Sequence, residues 1–188
     1  MNTYLKYDSY NRYVFPNKGI RFTSGFEFVR DIDKKQYSDI YRVSVTHNRA
    51  HPFSERFTLI THLYGGTVVG DSIPPDYIFY SGGLITIDYH AGIFPFVGLE
   101  LFERSDKNVL SFGMDLQYEI LRDHYILLRG NVGKAAASFE DIFFLEDFYF
   151  GYGLTYGLRT LIGPVEFSFM KNNLRKDIIT HVNIGYRF

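Results

Sequence analysis

The chain has 188 residues, no cysteine, no tryptophan and a formal net charge of -1. That composition excludes a disulfide framework and a thiolate metal site, and nothing in the charge balance selects nucleic acid as a partner. Aromatic content is high, with 19 Phe and 16 Tyr, yet no run approaches the roughly 18–20 apolar residues that a membrane helix needs.

The opening "MNTYLKYDSYNRYVFPNK" has no apolar h-region and does not read as a secretory signal. Its residues 3–13 form a Tyr-rich first strand with an ambiguous pattern. From 19 to 30, Ile20, Phe22, Phe26 and Phe28 oppose Arg21, Thr23, Gly25 and Glu27, a period of two that marks a strand. Over 39–49, Tyr41, Val43 and Val45 oppose Arg42, Ser44, Thr46 and Asn48, and 55–68 is a noisier β segment. Part of 84–103 is a candidate tenth strand. In 109–120 the set Leu110, Phe112, Met114, Leu116, Tyr118 and Ile120 faces away from Ser111, Gly113, Asp115, Gln117 and Glu119. A strand at 123–133 is followed by 148–161, where Tyr152, Leu154, Tyr156 and Leu158 alternate with Gly151, Gly153, Thr155, Gly157 and Arg159. Strands at 164–171 and 179–188 close the chain, the last alternating Val182, Ile184, Tyr186 and Phe188 against polar or small residues.

Two all-β architectures accept this pattern. A soluble sandwich buries the apolar face and uses strands of about 5–6 residues. An antiparallel transmembrane outer-membrane barrel uses strands of about 9–11 residues and turns the apolar face to lipid. Strand length and aromatic content favour the barrel, and inward glycines suit a curving wall. The connections alternate in length: long at 31–38, 69–108, 134–147 and 172–178, short at 15–19, 49–54, 121–123 and around Gly163-Pro164. Barrels show this asymmetry, with short periplasmic turns and long extracellular loops, which puts the C-terminus in the periplasm. Nine or ten strands then read as the C-terminal portion of a larger barrel, with residues 1–188 as one barrel domain and no catalytic domain.

Three blocks carry a resemblance. "YLKYDSYNRYVFPNKGIRFTSGFEF" resembles the hairpin of the bacterial surface antigen superfamily, with its turn at Pro16-Asn17-Lys18-Gly19. "FYSGGL", containing Gly82 and Gly83, resembles the lead into the family's longest extracellular loop, and "GLRTLIGPVEFSF", with Gly163 and Pro164, resembles a later hairpin. Their order is similar to the last half of a sixteen-stranded barrel. "NVLSFGMDLQYEI" and "YGLTYGLRTLIGPVEFSFM" are most similar to barrels fused behind patatin-like phospholipases. That resemblance implies a lipase domain upstream, which these residues do not include: no G-x-S-x-G elbow occurs in them. Assembly factors of the superfamily carry an arginine at the tip of the long loop and an aspartate in a D-x-G on the wall. The corresponding stretches here are 96–103, "FVGLELFE", and Asn131-Val132-Gly133, so both charged partners are absent together.

Six histidines invite a metal or catalytic reading, but none forms a helical H-x-x-x-H pair, and lumen or turn positions explain them. The acidic loop "FEDIFFLED" suits a solvated surface, or one meeting divalent-bridged lipopolysaccharide. Asp115, Glu119, Arg129, Arg159, Glu166 and Arg187 fall on the inner face, either as a selective pore or as a network satisfying its own charges. Val182, Ile184, Tyr186 and Phe188 supply a terminal strand that, by resemblance to outer-membrane proteins, is an assembly signal read by strand addition. The reading is a translocator or anchor barrel in the bacterial outer membrane. Its expected partners are lipid and lipopolysaccharide, the barrel assembly machinery, a fused or passenger domain and a second copy in a homodimer; no cofactor is expected. The alternatives are an assembly factor or polypeptide transporter, and a small lipid-modifying enzyme barrel.

Overall fold

The structure is a computed structural model and describes residues 1–30, 39–84, 92–144 and 146–185. Among these residues the chain runs through twelve strands. They are β1 (Asn2–Asp8), β2 (Gly19–Val29), β3 (Ile40–Pro52), β4 (Phe57–Val69), β5 (Phe79–Ser81), β6 (Ile93–Phe94), β7 (Arg104–Asp106), β8 (Asn108–Leu121), β9 (His124–Ala136), β10 (Tyr149–Thr160), β11 (Gly163–Asn172) and β12 (Ile179–Ile184). Nine of them make one antiparallel sheet in the order β1-β2-β3-β4-β8-β9-β10-β11-β12. Each wall strand pairs with the next in sequence, except that β4 pairs with β8 across a long excursion.

The nine strands expected from periodicity are all present, and from β2 to β11 they run 10–14 residues. That is enough to cross a hydrocarbon layer and twice the usual sandwich strand. Two-residue turns join β8 to β9 and β10 to β11. At the first, Asp123 takes φ +68°, a left-handed conformation that Asp tolerates, and at the second Gly163 follows with φ +118°. Short connections at 53–56, 122–123 and 161–162 lie at one end of the wall, together with the longer 9–18, and those at 70–107, 137–148 and 173–178 lie at the other.

Which face carries the apolar set decides between the two architectures. Along β8, Leu110, Phe112, Met114, Leu116 and Tyr118 are 38–47% exposed, whereas Ser111, Asp115 and Gln117 on the opposite face are buried. The same inversion holds on β10, where Tyr152 and Leu154 are exposed and Thr155 is not. A soluble sandwich would bury the leucines and wet the aspartate. An apolar exterior around a polar interior is the arrangement of a wall in lipid.

The sheet is rolled. Asn2 and Lys6 of β1 line the same cavity, about 790 Å³, as Asp115 of β8 and Asn183 of β12. Among the described residues no ladder joins β1 to β12, so the wall curls round its interior without closing.

Two expectations change. The candidate strand within 84–103 is no part of the wall; residues 85–91 lie outside the described set, and the rest belongs to an inserted segment, 70–107, whose short strands form a separate three-stranded sheet, β6-β5-β7. The first strand ends at Asp8 instead of 13, and Pro16-Asn17-Lys18-Gly19 is the end of a ten-residue connection, 9–18, not a tight turn. That connection folds inward because Phe15, φ +49°, stacks on Tyr125 of β9 at 4.5 Å and buries against Leu127.

The exposed apolar face carries a quantitative expectation. Leu154→Arg, midway along β10, should cost about 2–4 kcal/mol in lipid, against no more than about 0.5 kcal/mol at an ordinary wet surface. The shift of the urea midpoint for protein folded into vesicles measures it.

Candidate functional site

The interior is built in three tiers. At the long-loop end, Phe79 of β5 and Phe94 of β6 stack at 5.6 Å and bury against Ile40, Tyr64, Val68 and Val109 of the wall. Beside them Phe96 and Leu99 pack on Tyr149. At the short-turn end, Phe15 closes on Tyr125 and Leu127. Charged and amide groups occupy the middle.

The middle tier runs round the wall through six strands. Asn48 of β3 lies 2.8 Å from His62 Nδ1 on β4, and His62 Nε2 lies 3.3 Å from Asp115 Oδ2 on β8. Arg129 of β9 faces Asp115 at 3.6 Å and donates to Glu166 Oε1 of β11 at 3.2 Å; Glu166 Oε2 accepts from Asn183 of β12 at 3.1 Å. Arg129 and Glu166 sit two strands apart, roughly 10 Å of backbone spacing. Their side chains meet because β10 presents only Gly153, Thr155 and Gly157 to the interior between them. Alternate positions on one strand thus leave the gap that an ion pair on its neighbours fills. Each acid has a cation, and the ring is of the kind that low-dielectric interiors reward only when complete.

Of the six lumen charges read from sequence, Asp115, Arg129 and Glu166 are members of this ring. Glu119 and Arg159 belong to the short-turn end, where Arg12 of the inward connection approaches Glu119 at 3.9 Å and Arg159 Nε donates to Asp123 at 2.7 Å. Arg187 lies outside the described residues. Connection 9–18 carries Tyr10 into the interior, where burial, reinforced by Asp8 and Asp115 and opposed by Arg21, pushes its phenol up to about 12. His62 is the histidine in the ring; His124 pairs with Tyr156 at 2.7 Å on the outer side. Among the described residues no three His, Asp or Glu side chains group to hold a metal ion.

The inserted segment is seated on glycines. The inner row of β10 begins Tyr149, Gly151, Gly153, and a Cβ at Gly151 would fall on the Val97 carbonyl. A Cβ at Gly133 would meet the Phe96 ring at 2.8 Å, one at Gly153 the Met170 side chain of the wall at 2.8 Å and then the Val97 side chain at 3.2 Å, and one at Gly66 the ring of Phe79. At the short-turn end a Cβ at Gly157 would meet Phe15. These glycines therefore serve close approach by inserted segments, a more specific cause than wall curvature. The tip itself is held by polar contacts: Val97 N–H donates to Asn131 Oδ1 at 3.3 Å, and Asn172 donates to the Gly98 carbonyl. Arg175 pairs with Glu100 at 2.9 Å and Glu103 at 3.1 Å. Residues 96–98 and Asn131, the two stretches that lack the charged pair of the assembly factors, are in contact, joined through a backbone amide.

The remaining motif residues are structural here. Gly82, φ +143°, packs against the Glu100 carbonyl, and Gly83 bridges Phe96, so both fold the inserted segment back on itself. Pro164 pairs with Arg159 at the start of β11. The Pro16 carbonyl accepts from Gln117 at 3.3 Å, and the Lys18 amide donates to Asn11. Val182 and Ile184 are exposed on the outer face of β12; Tyr186 and Phe188 lie outside the described residues. Sequence reasoning missed Asn48, His62 and Asn183 as ring members, Val97 as the seated tip, and Phe15 as the lower closure.

Removing Arg129 takes the guanidinium away from buried Asp115 and half-buried Glu166. Arg129→Met should destabilise by about 3–5 kcal/mol, and adding Asp115→Asn and Glu166→Gln should recover most of that loss, as read by urea unfolding in detergent.

The profile of the OMP85 superfamily matches residues 1–188, the whole of the sequence. A search of curated proteins found no match. Lipid-facing strands, a polar interior with an inserted loop, and a match along the full sequence agree: the chain belongs to the OMP85 superfamily of bacterial outer-membrane β-barrels.

Proposed function

We propose that this chain is the wall of an outer-membrane translocator or anchor whose lumen is held shut by its own inserted segment. The seating of residues 96–98 on Gly133, Gly151 and Gly153 carries the reading, because three inner-face positions without side chains have no use in an empty pore. The short turns, and with them the end of β12, face the periplasm in this reading; three connections of two to four residues at that end support it. The wall is taken as the C-terminal portion of a larger barrel, since among the described residues β1 and β12 present edges to no partner strand. The likeness of 108–120 and 152–170 to barrels behind patatin-like phospholipases supports a fused lipase as the domain held or passed. The chain's own role is then structural, and the chemistry resides elsewhere.

A second reading, an assembly factor or polypeptide transporter, is favoured by one observation: the loop tip contacts the wall at Asn131. It differs in chemistry, since a neutral amide replaces a charge pair, and this favours the anchor. The terminal strand, with Val182 and Ile184 outward and Tyr186 and Phe188 completing the alternation, is proposed as the segment that the assembly machinery pairs with. Lipopolysaccharide contact and a homodimer are further proposals of the same reading.

Planar-bilayer recordings test the closed lumen. Wild-type protein should show little conductance, and Gly151→Leu, which evicts the Val97 carbonyl, should raise it several-fold while increasing protease cleavage at Arg104 and Lys107. An evicted segment with unchanged conductance would remove the lumen as a path. Phe188→Ser tests the terminal strand separately: outer-membrane accumulation should fall several-fold in cells, while refolding of the purified protein into detergent stays unchanged.

A further inference from the structure

The connection between β9 and β10, described at 137–144 and 146–148, turns outward over the lipid face of the wall instead of rising into solvent. Two rows establish its direction. Along β9 the outward positions are Ile126, Leu128 and Val132, all more than a third exposed, and Lys134 and Ala136 continue that row. Both are buried, as is Asn108 on the corresponding row of β8. What covers them is the connection itself. Its short 3-10 turn, Glu140–Phe143, packs against the ends of β8 and β9 and buries Ile142. Lys134 Nζ donates to the Phe144 carbonyl at 2.8 Å and lies 5.6 Å from the centre of the Phe148 ring.

The side of this flap that faces away from the wall is aromatic. Phe139, Phe143 and Phe144 are 57%, 69% and 61% exposed, and Phe139 meets Phe143 edge-on at 5.4 Å. Such a cluster is unfavourable in water. It is continuous with the outward row Phe148, Phe150, Tyr152 and Leu154 of β10, which the inverted burial pattern assigns to lipid. Glu140 and Asp141 on the same flap, and Asp147 after it, are exposed, which sets its depth at the boundary between acyl chains and headgroups and no deeper.

We propose that residues 137–144 form a membrane-seated flap, with Phe139, Phe143 and Phe144 inserted in the interfacial region of the lipid leaflet. Seated there, the flap roofs Lys134, satisfies its ammonium with the Phe144 carbonyl and keeps a charge on the outer row away from hydrocarbon. The result is an aromatic foot on β8 to β10, inside the sheet and away from its edges.

The absence of tryptophan from the chain makes the test direct. Single variants Phe143→Trp and Phe139→Trp are folded into phosphatidylcholine vesicles, with Leu154→Trp as the wall reference and Asp76→Trp, in the exposed turn of the inserted segment, as the aqueous reference. Heat-modifiable migration confirms that each has folded. Lipids brominated at shallow acyl positions should quench both flap variants strongly, and more than lipids brominated deep in the chain, with emission blue-shifted from that of Asp76→Trp. Quenching by aqueous iodide equal to that of Asp76→Trp would overturn the proposal. So would protection from both quenchers, which would assign the aromatic face to a protein contact. The inference rests on the lipid-facing wall, and Leu154→Trp reports on that independently: its failure to respond to brominated lipid would sink the wall reading, whereas failure of the flap variants alone sinks only the flap.

Discussion

The hydrocarbon layer offers no water to a backbone amide, and the rest of this structure follows from that constraint. Strands inside the wall find partners on both sides, and their pairing is unbroken from β1 to β12. The side chains then invert. Leucine and phenylalanine face outward because lipid is as apolar as they are, and whatever is polar must be gathered inside and satisfied there. A ring through His62, Asp115, Arg129 and Glu166 is the consequence, each member held by a neighbour on another strand.

The inserted segments impose a second demand on the same inner row. A side chain on β10 at 151 or 153 would occupy the space of Val97, and one at 157 the space of Phe15. Between these seats, Thr155 is buried and bonded to Ser168 at 2.8 Å. One row of small residues therefore does two things: it admits an inserted segment at each end and lets Arg129 reach across to Glu166. Strand pairing, lumen filling and ion pairing are coupled through β10, and bulk added there disturbs more than one of them.

Much of the wall could be read from the sequence because a period of two is a local signal. Alternations such as Leu110 to Ile120 and Tyr152 to Leu158 located β8 and β10 to within two residues. The interior resisted the same reading. Nothing local says that Phe15 leaves its hairpin to stack on Tyr125, since the partner is 110 residues away in sequence and the backbone must take φ +49° to reach it. The 84–103 stretch is apolar enough to suggest a strand, yet it is apolar because Phe94, Phe96 and Leu99 fill a lumen. Glycines of "GYGLTYG" were visible; what they make room for was not. The ring was half visible for a related reason: Asp115, Arg129 and Glu166 announce themselves as charges, whereas His62 and Asn183 join only through the register that sets β4 against β8 and β11 against β12.

The two ways in which the interior is held differ in their chemistry, and this separates closure from stability. The ring depends on charge, and its members lie where salt screens them little. The seat of residues 96–98 uses a neutral amide on Asn131, an Asn172 contact to a carbonyl, and close packing over glycine. At its outer rim the inserted segment uses ion pairs, Arg175 with Glu100 and Glu103, and these are partly exposed and correspondingly weak. A charge pair at the tip would have made release of the segment sensitive to the same conditions that loosen the wall. With an amide in its place, the seat rests on close packing over the glycine floor and a neutral hydrogen bond, and the charges of the ring play no part in it.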